Sequence, residues 1–365
     1  MKRSDDARGS APPLPSVEPV GLVDPTGRRT GEAAYDTPEP GTLLSLLRGM
    51  VIGRRFDRQA SALARQGRLA VYPSSRGQEA CQVGGALALA DRDWLFPTYR
   101  DCVSLVARGV DPVEVLTLLR GDWHSGYDPR RHRCAPQCTP LATSAPHAVG
   151  LAWAARRAGE DAAALVMMGD GATSEGDAHE AFNFAAVWKA PVVFLVQNNQ
   201  WAISVPVEKQ SAAPTLAHKA VGYGMAGVHI DGNDAAAVYA AVSQALASAR
   251  DGGGPTFIEA RTYRLDPHTN SDGPGRYRDD SERARWEERD PLARLEALLR
   301  AEGALDDAVM DGFEKEAESL AAAVRERYSG DDETSPEDLF SHVYHSIPAQ
   351  LERQRRDLLA EIREG

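Results

Sequence analysis

The chain is short of cysteine and of positive charge, and it has no long apolar run. Only four cysteines occur in 365 residues, at positions 81, 102, 134 and 138, and none forms a CxxC pair. A disulfide framework and a redox dithiol are therefore not indicated, and the usage suits a reducing cytoplasm. Cys134 and Cys138 lie beside His132 but lack the second ligand pair that a structural zinc needs. Lys and Arg total 41 against 53 Asp and Glu, a formal net charge of -12. That balance argues against a nucleic-acid footprint and against an anionic membrane surface as partner. No apolar run reaches the length of a membrane span. The opening MKRSDDARGSAPPLP lacks the apolar segment of a secretory signal. There is also no GxxxxGK[ST], and no GxGxxG after a strand, which excludes a P-loop and weighs against a dinucleotide cofactor.

What is present is an alternation. Residues 1–40 are rich in Pro, Gly, Asp and Arg without a periodic apolar face, and are expected to be a mobile tail. From residue 41, TLLSLLRGMVIGRRFDRQASALARQGRL carries apolar residues at helical spacing, and EACQVGGALAL and DPVEVLTLLRG predict further helices. Then AAALVMMGDG, PVVFLVQNN and PTFIEARTYRL read as apolar strands, separated by the helical DAHEAFNFAAVWKA and AAAVYAAVSQALASAR. Continuous apolar strands alternating with helices predict an α/β fold, a doubly wound and mostly parallel sheet covered on both faces, over residues 41–282. Residues 283–365 are charged and helical in pattern.

Chemistry concentrates at two strand ends. Gly169-Asp170-Gly171 closes one strand, and Asn198-Asn199 closes the next in sequence. One right-handed crossover separates them, so both are expected at the carboxyl edge of the sheet, where open α/β sheets bind ligands. A carboxylate and an amide oxygen are hard donors suited to Mg²⁺, which is normally completed by phosphate oxygens and water. Glycines on either side of Asp170 let a diphosphate approach the backbone, and a helix expected to begin near Thr173-Ser174 would offer its N-terminal amides. A magnesium-diphosphate cofactor fits this pattern. Taken singly, each motif is an ordinary turn.

The stretch GDGATSEGDAHEAFNFAAVWKAPVVFLVQNNQWAIS resembles the thiamine-diphosphate motif of the alpha subunit in the decarboxylating component of 2-oxoacid dehydrogenase complexes. SRGQEACQVG, DWLFPTYRD, TPLATSAPHAVG, HKAVGYGM, HIDGND, TYRLDPHTNSD and RYR resemble further stretches of that family in the same order, over roughly residues 45–350. The resemblance implies a diphosphate-binding α/β domain with helical extensions at both ends. It implies thiamine diphosphate and Mg²⁺ as cofactors, with Asp170, Asn199 and the backbone carbonyl of Trp201 as metal ligands. Tyr99 and Arg100 would contact the diphosphate. Thr139, Leu141, Gly169, Gly171 and Ala172 would line the cofactor channel, Ile203 would pack near the thiazolium, and Glu175 would shape the site. His268 would lie over the diphosphate and face the reacting centre as the catalytic residue; by itself, a histidine in a polar loop reads as a solvated surface group.

The same resemblance implies a cytoplasmic α₂β₂ heterotetramer whose beta subunit supplies the activating glutamate and the pyrimidine pocket. A lipoyl-bearing acyltransferase would accept the acyl group. The substrate implied is a branched-chain 2-oxoacid such as 2-oxoisovalerate, with pyruvate or acetoin as the alternative. A non-catalytic subunit of the same fold and a self-contained decarboxylase are the other readings. Trp201 stands where Tyr or Phe is usual, and Gln197 where some branched-chain members have Arg. Ser271 does not clearly match the phosphorylated serine of animal enzymes, and no kinase control is expected. The loop over residues 266–280 is expected to order only with the diphosphate. The C-terminal LFSHVYHSIPAQLERQRRDLL is expected either at a subunit interface or packed on its own domain.

Overall fold

Residues 164–169 and 192–198 are apolar almost throughout because their strands are covered on both faces. The computed structural model of the chain describes residues 12–31, 35–122, 124–328 and 335–364. Strands β1 (Trp94–Phe96), β2 (Ala164–Gly169), β3 (Val192–Asn198), β6 (Ala226–Asp231) and β7 (Thr256–Arg261) form one sheet in the order β1-β2-β3-β7-β6, every pair parallel. A small hairpin, β4 (Trp201–Ala202) with β5 (Val205–Pro206), follows β3.

Alternation along each strand divides the core in two. Leu165, Met167, Val193, Leu195 and Ile258 point to a layer built on helices Pro40–Arg65, Glu79–Ala88 and Ala235–Arg250. Val166, Met168, Val192, Phe194, Val196 and Phe257 point to a layer built on helices Ser144–Arg157 and Gly176–Trp188. Helix Gly176–Trp188 presents Ala178, Ala181, Phe182 and Ala185, an i, i+3, i+4, i+7 stripe of small residues around one ring. Each large apolar side chain so buried contributes about 1.5–3 kcal/mol. The expected doubly wound sheet is thus realised, and within the five-stranded sheet no antiparallel pair occurs. The winding reverses between β3 and β7, so the crevice for a ligand opens at their carboxyl ends.

Three features differ from expectation. The described part of the N-terminal segment is not a free tail. Val20 forms a parallel bridge to Ile230 at the edge of β6, and the Leu22 and Val23 N–H groups donate to Asp234 Oδ2 at 2.6 and 2.7 Å. Leu22 and Val23 are themselves buried. Residues 1–11 and 32–34 of the expected tail lie outside the described residues. Strands β1 and β6, at the two edges of the sheet, escape the apolar pattern because β1 has only three residues and β6 carries His229 and Asp231. The helix after Asp170 begins at Gly176, not near Thr173, because a 3-10 turn over Gly171–Ser174 intervenes. Within the 266–280 loop, Asp272 accepts from the His268 N–H at 2.8 Å and the Tyr277 hydroxyl at 2.5 Å. Arg278 ties it down further by donating to the Leu265 carbonyl at 2.9 Å.

Toward the C-terminus, helix Asp307–Arg327 packs on Pro40–Arg65 through Ala317, Ala321 and Val324, with Arg55 bridged to Glu318 at 2.6 Å. The final helix, Ala349–Glu364, buries none of its residues. No helix among the described residues is long and apolar enough to cross a membrane.

Candidate active site

The ends of β2, β3 and β7 meet around one cavity of about 380 Å³. The register pairs Gly169 with Gln197, and Asn198 with Arg261, which brings residues 170, 199 and 264 to one edge. Twelve of the residues singled out from the sequence line this cavity: Tyr99, Arg100, Thr139, Leu141, Gly169, Asp170, Gly171, Ala172, Asn199, Trp201, Ile203 and His268. Glu175 is exposed and does not line it. A second cavity of about 310 Å³, around Asn198, His229 and Glu259, holds none of them.

Asp170 is the acidic pole. It is 2% exposed, and Gln210 Nε2 donates to its Oδ2 at 3.0 Å. Burial pushes its carboxyl up from the ordinary 3.8 to about 6, against the Gln210 hydrogen bond. No salt bridge to it occurs among the described residues. A Cβ on Gly171 would stand 2.8 Å from Ala202 Cβ, so only glycine lets the β4 hairpin close against this loop. Asn199 follows β3 with its amide fixed on both sides. Its Nδ2 donates to Gln78 Oε1 at 2.6 Å, and its Oδ1 accepts the Trp201 N–H at 3.2 Å. Gln78 is placed by Gly77, whose φ of +96° and 2.2 Å clearance to the Tyr263 carbonyl admit no side chain.

Backbone strain gathers here. Of the five non-glycine residues with positive φ among the described residues, three line or adjoin the cavity: Ala142 (+60°), Gln200 (+74°) and Ile203 (+55°). For a β-branched residue this is a genuine outlier, and such strain clusters at functional sites. It turns Ile203 outward, 56% exposed, and Leu141 at the same cavity is 40% exposed.

The basic pole faces Asp170 across the cavity wall. Arg100 is buried and donates to the Ser74 carbonyl at 2.8 Å, and through Nη2 to the His268 carbonyl and Nδ1, both at 3.0 Å. A guanidinium is always a donor, so His268 Nδ1 accepts and the ring proton resides on Nε2. Burial, then Arg100 and Arg264, holds the imidazole down at about 4, so it is neutral at ordinary pH. Tyr99 meets the same ring edge-on, centroids 6.1 Å apart.

Arg264 was not singled out from the sequence. It is 1% exposed, makes no salt bridge among the described residues, and donates to the carbonyls of Trp201 (3.2 Å) and Ile203 (2.8 Å). Burial, then Arg100, brings its guanidinium down to about 10. An arginine inside the apolar stretch TYRL directly after a strand was the available signal. Gln78, Asp101 and Gln197 also line the cavity and were not singled out as site residues.

Two buried guanidiniums without carboxylate partners and one buried carboxylate without a cation are each costly alone. Together they fit a ligand that carries a cation at one end and an anion alongside. No cluster of three His, Cys, Asp or Glu side chains occurs among the described residues. A metal here would therefore rest on one carboxylate, neutral oxygens and the ligand's own oxygens, the donor set of magnesium with a diphosphate.

Comparison with known proteins points the same way. The chain is 47% identical over 348 residues to the 3-methyl-2-oxobutanoate dehydrogenase subunit alpha of Mycobacterium tuberculosis, covering 95% of each chain. It is 36% identical over 339 residues to the pyruvate dehydrogenase E1 component subunit alpha of Staphylococcus aureus, covering 92% of this chain and 91% of that one. Residues 47–335 match the family model described as dehydrogenase E1 component. Fold, site and these relatives agree: the chain belongs to the dehydrogenase E1 component family.

Proposed function

We propose that this chain is the alpha subunit of a branched-chain 2-oxoacid dehydrogenase, the decarboxylating component that acts with thiamine diphosphate and Mg²⁺. The observation that carries the reading is the meeting of Asp170 and Asn199 with Arg100, Arg264 and His268 around one cavity at the sheet's switch point. In the proposal, Asp170, Asn199 Oδ1 and the Trp201 carbonyl hold the metal. Arg100, Arg264 and Tyr99 hold the diphosphate, since a planar fork of permanent charge suits phosphate oxygens. When bound, thiamine diphosphate supplies a nucleophilic carbon and an electron sink for decarboxylation.

The rest falls to the chain's own residues. His268, neutral with its proton on Nε2, presents a donor to the cavity while Arg100 fixes its ring. Thr139 and Leu141 shape the channel, and Ile203 offers an apolar support at its mouth. Exposed Leu141 and Ile203 at the cavity, and Leu339, Val343 and Tyr344 near the C-terminus, leave apolar surface for a beta subunit to cover. We assign the activating glutamate and the pyrimidine pocket to that subunit in an α₂β₂ assembly. A lipoyl group of an acyltransferase is the acyl acceptor. Four free cysteines and the acidic balance fit a cytoplasmic protein.

Higher identity to the branched-chain relative than to the pyruvate relative supports the substrate class. The test is turnover by the chain reconstituted with its beta subunit, read as CO₂ release from 2-oxoisovalerate and pyruvate and as C–C cleavage to acetaldehyde for acetoin, which has no carboxylate to lose. A kcat/KM for 2-oxoisovalerate at least tenfold above the others is expected. Preference for pyruvate or acetoin would overturn the substrate. No turnover with any of the three, despite cofactor binding, would overturn the enzymatic reading.

A further inference from the structure

A carboxamide offers a metal one useful face, the oxygen, and one harmful face, the NH₂. The amide alone does not choose between them; its hydrogen-bond partners must. We propose that Asp101 and the Trp201 backbone fix the face that Asn199 presents, through a relay of the two buried amides Gln197 and Gln78. This rests on the reading of Asn199 as a metal ligand.

The relay is directional. Asp101 is fully buried and, ionised, only accepts. Its Oδ2 is taken by the N–H and hydroxyl of Thr98, both at 2.7 Å, and its Oδ1 accepts Gln197 Nε2 at 2.7 Å. That turns Gln197 Oε1 toward Gln78 Nε2, at 3.2 Å. Gln78 Oε1 is then left for Asn199 Nδ2, at 2.6 Å, which leaves Asn199 Oδ1 for the Trp201 N–H and the cavity. One end of the chain is accept-only and the other donate-only. With three amides between them, a single polarity satisfies every link. Gln78 and Gln197 are 2% exposed and Asn199 is 6% exposed, so water cannot repair a reversed amide. Asp101 and Gln78 are thus positioning residues, acting on the metal through Asn199.

The test is calorimetric titration of Mg²⁺ into the full chain assembled with its beta subunit and saturated with thiamine diphosphate. Gln78→Met keeps the length of the side chain but deletes donor and acceptor. It should weaken Mg²⁺ about tenfold or more, the usual cost of losing the partner that orients a ligand. Gln78→Glu, protonated in this dry site, keeps one donor and one acceptor in the same places. It should stay within about threefold of wild type on that reasoning. Asp101→Asn gives its oxygen to Thr98 and its NH₂ to Gln197, forcing one donor–donor mismatch into the relay. A loss of about threefold or more is expected, which keeps the proposal testable if Gln78→Met fails to fold.

A merely structural Gln78 would reverse the order, with the buried acid of Gln78→Glu more damaging to thermal stability and Mg²⁺ affinity unmoved in both variants. Asp170→Ala in the same titration separates the two readings. If it leaves Mg²⁺ affinity intact, the metal site itself is wrong. If it abolishes binding while Gln78→Met and Asp101→Asn match wild type, the relay alone is wrong.

Discussion

Asp170→Asn should make the unliganded protein more stable and the liganded protein less so. Burial raises this carboxyl from 3.8 to about 6, with only Gln210 among the described residues donating to it from a side chain. That rise corresponds to about 3 kcal/mol spent keeping the group ionised at pH 8. Because the folded value lies above the unfolded one, the group's contribution is fully present below about pH 4. It declines as pH rises through 4 to 6, and is lost above. An amide of the same shape carries no such cost. Its oxygen can still accept from Gln210, although its NH₂ needs an acceptor, so a net gain of about 1–3 kcal/mol is expected at pH 8.

In thermal unfolding that is a rise of about 2 °C or more, shrinking to nothing near pH 4. Thiamine diphosphate and Mg²⁺ at a thousandfold excess over Kd should stabilise wild type by about 4 kcal/mol and the variant hardly at all, so the order of the two reverses. The assay is a pair of melting series, with and without both cofactors, from pH 4 to pH 8. If the variant were less stable than wild type without ligand at pH 8, and gained as much from the cofactors, the burial argument and the metal assignment would fail together.

Arg264→Met should weaken thiamine diphosphate binding about tenfold or more, and Arg264→Lys should not restore it, because an ammonium lacks the planar fork; equal affinity by calorimetry would remove Arg264 from the site. His268→Ala should lower kcat of the reconstituted enzyme about a hundredfold, with cofactor affinity little changed; a loss confined to affinity would make the histidine a binding group. Asp234→Ala removes the acceptor for the Leu22 and Val23 N–H groups and the cap of helix Ala235–Arg250. It should cost about 2 kcal/mol or more and speed proteolysis over residues 12–31; unchanged cleavage would show that this strap is held by other contacts.

The sequence was most informative where a pattern is local. Apolar strands ending in GDG and NN identified a parallel sheet and its ligand edge, because strand period and glycine flexibility belong to a few neighbouring residues. Resemblance carried the more distant positions, and twelve of the residues singled out came to one cavity. What stayed hidden depends on partners far along the chain. Val20, Leu22 and Val23 look like parts of a tail until Ile230 and Asp234, more than 200 positions away, supply an edge and an acceptor. Gln78 and Asp101 are ordinary polar residues in sequence; only burial beside Gln197 and Asn199 gives their hydrogen bonds a direction. Arg264 follows the same rule, since a guanidinium becomes noteworthy when it is buried without an anion. The 3-10 turn after Asp170 was missed because GATSEG suits a turn and a helix start equally.

The most direct measurement is the crystal structure of the chain assembled with its beta subunit, thiamine diphosphate and Mg²⁺. The expected result is an ion about 2.0–2.2 Å from Asp170, Asn199 Oδ1 and the Trp201 carbonyl, with the diphosphate against Arg100 and Arg264. A cofactor seated elsewhere, or an ion touching neither Asp170 nor Asn199, would contradict it.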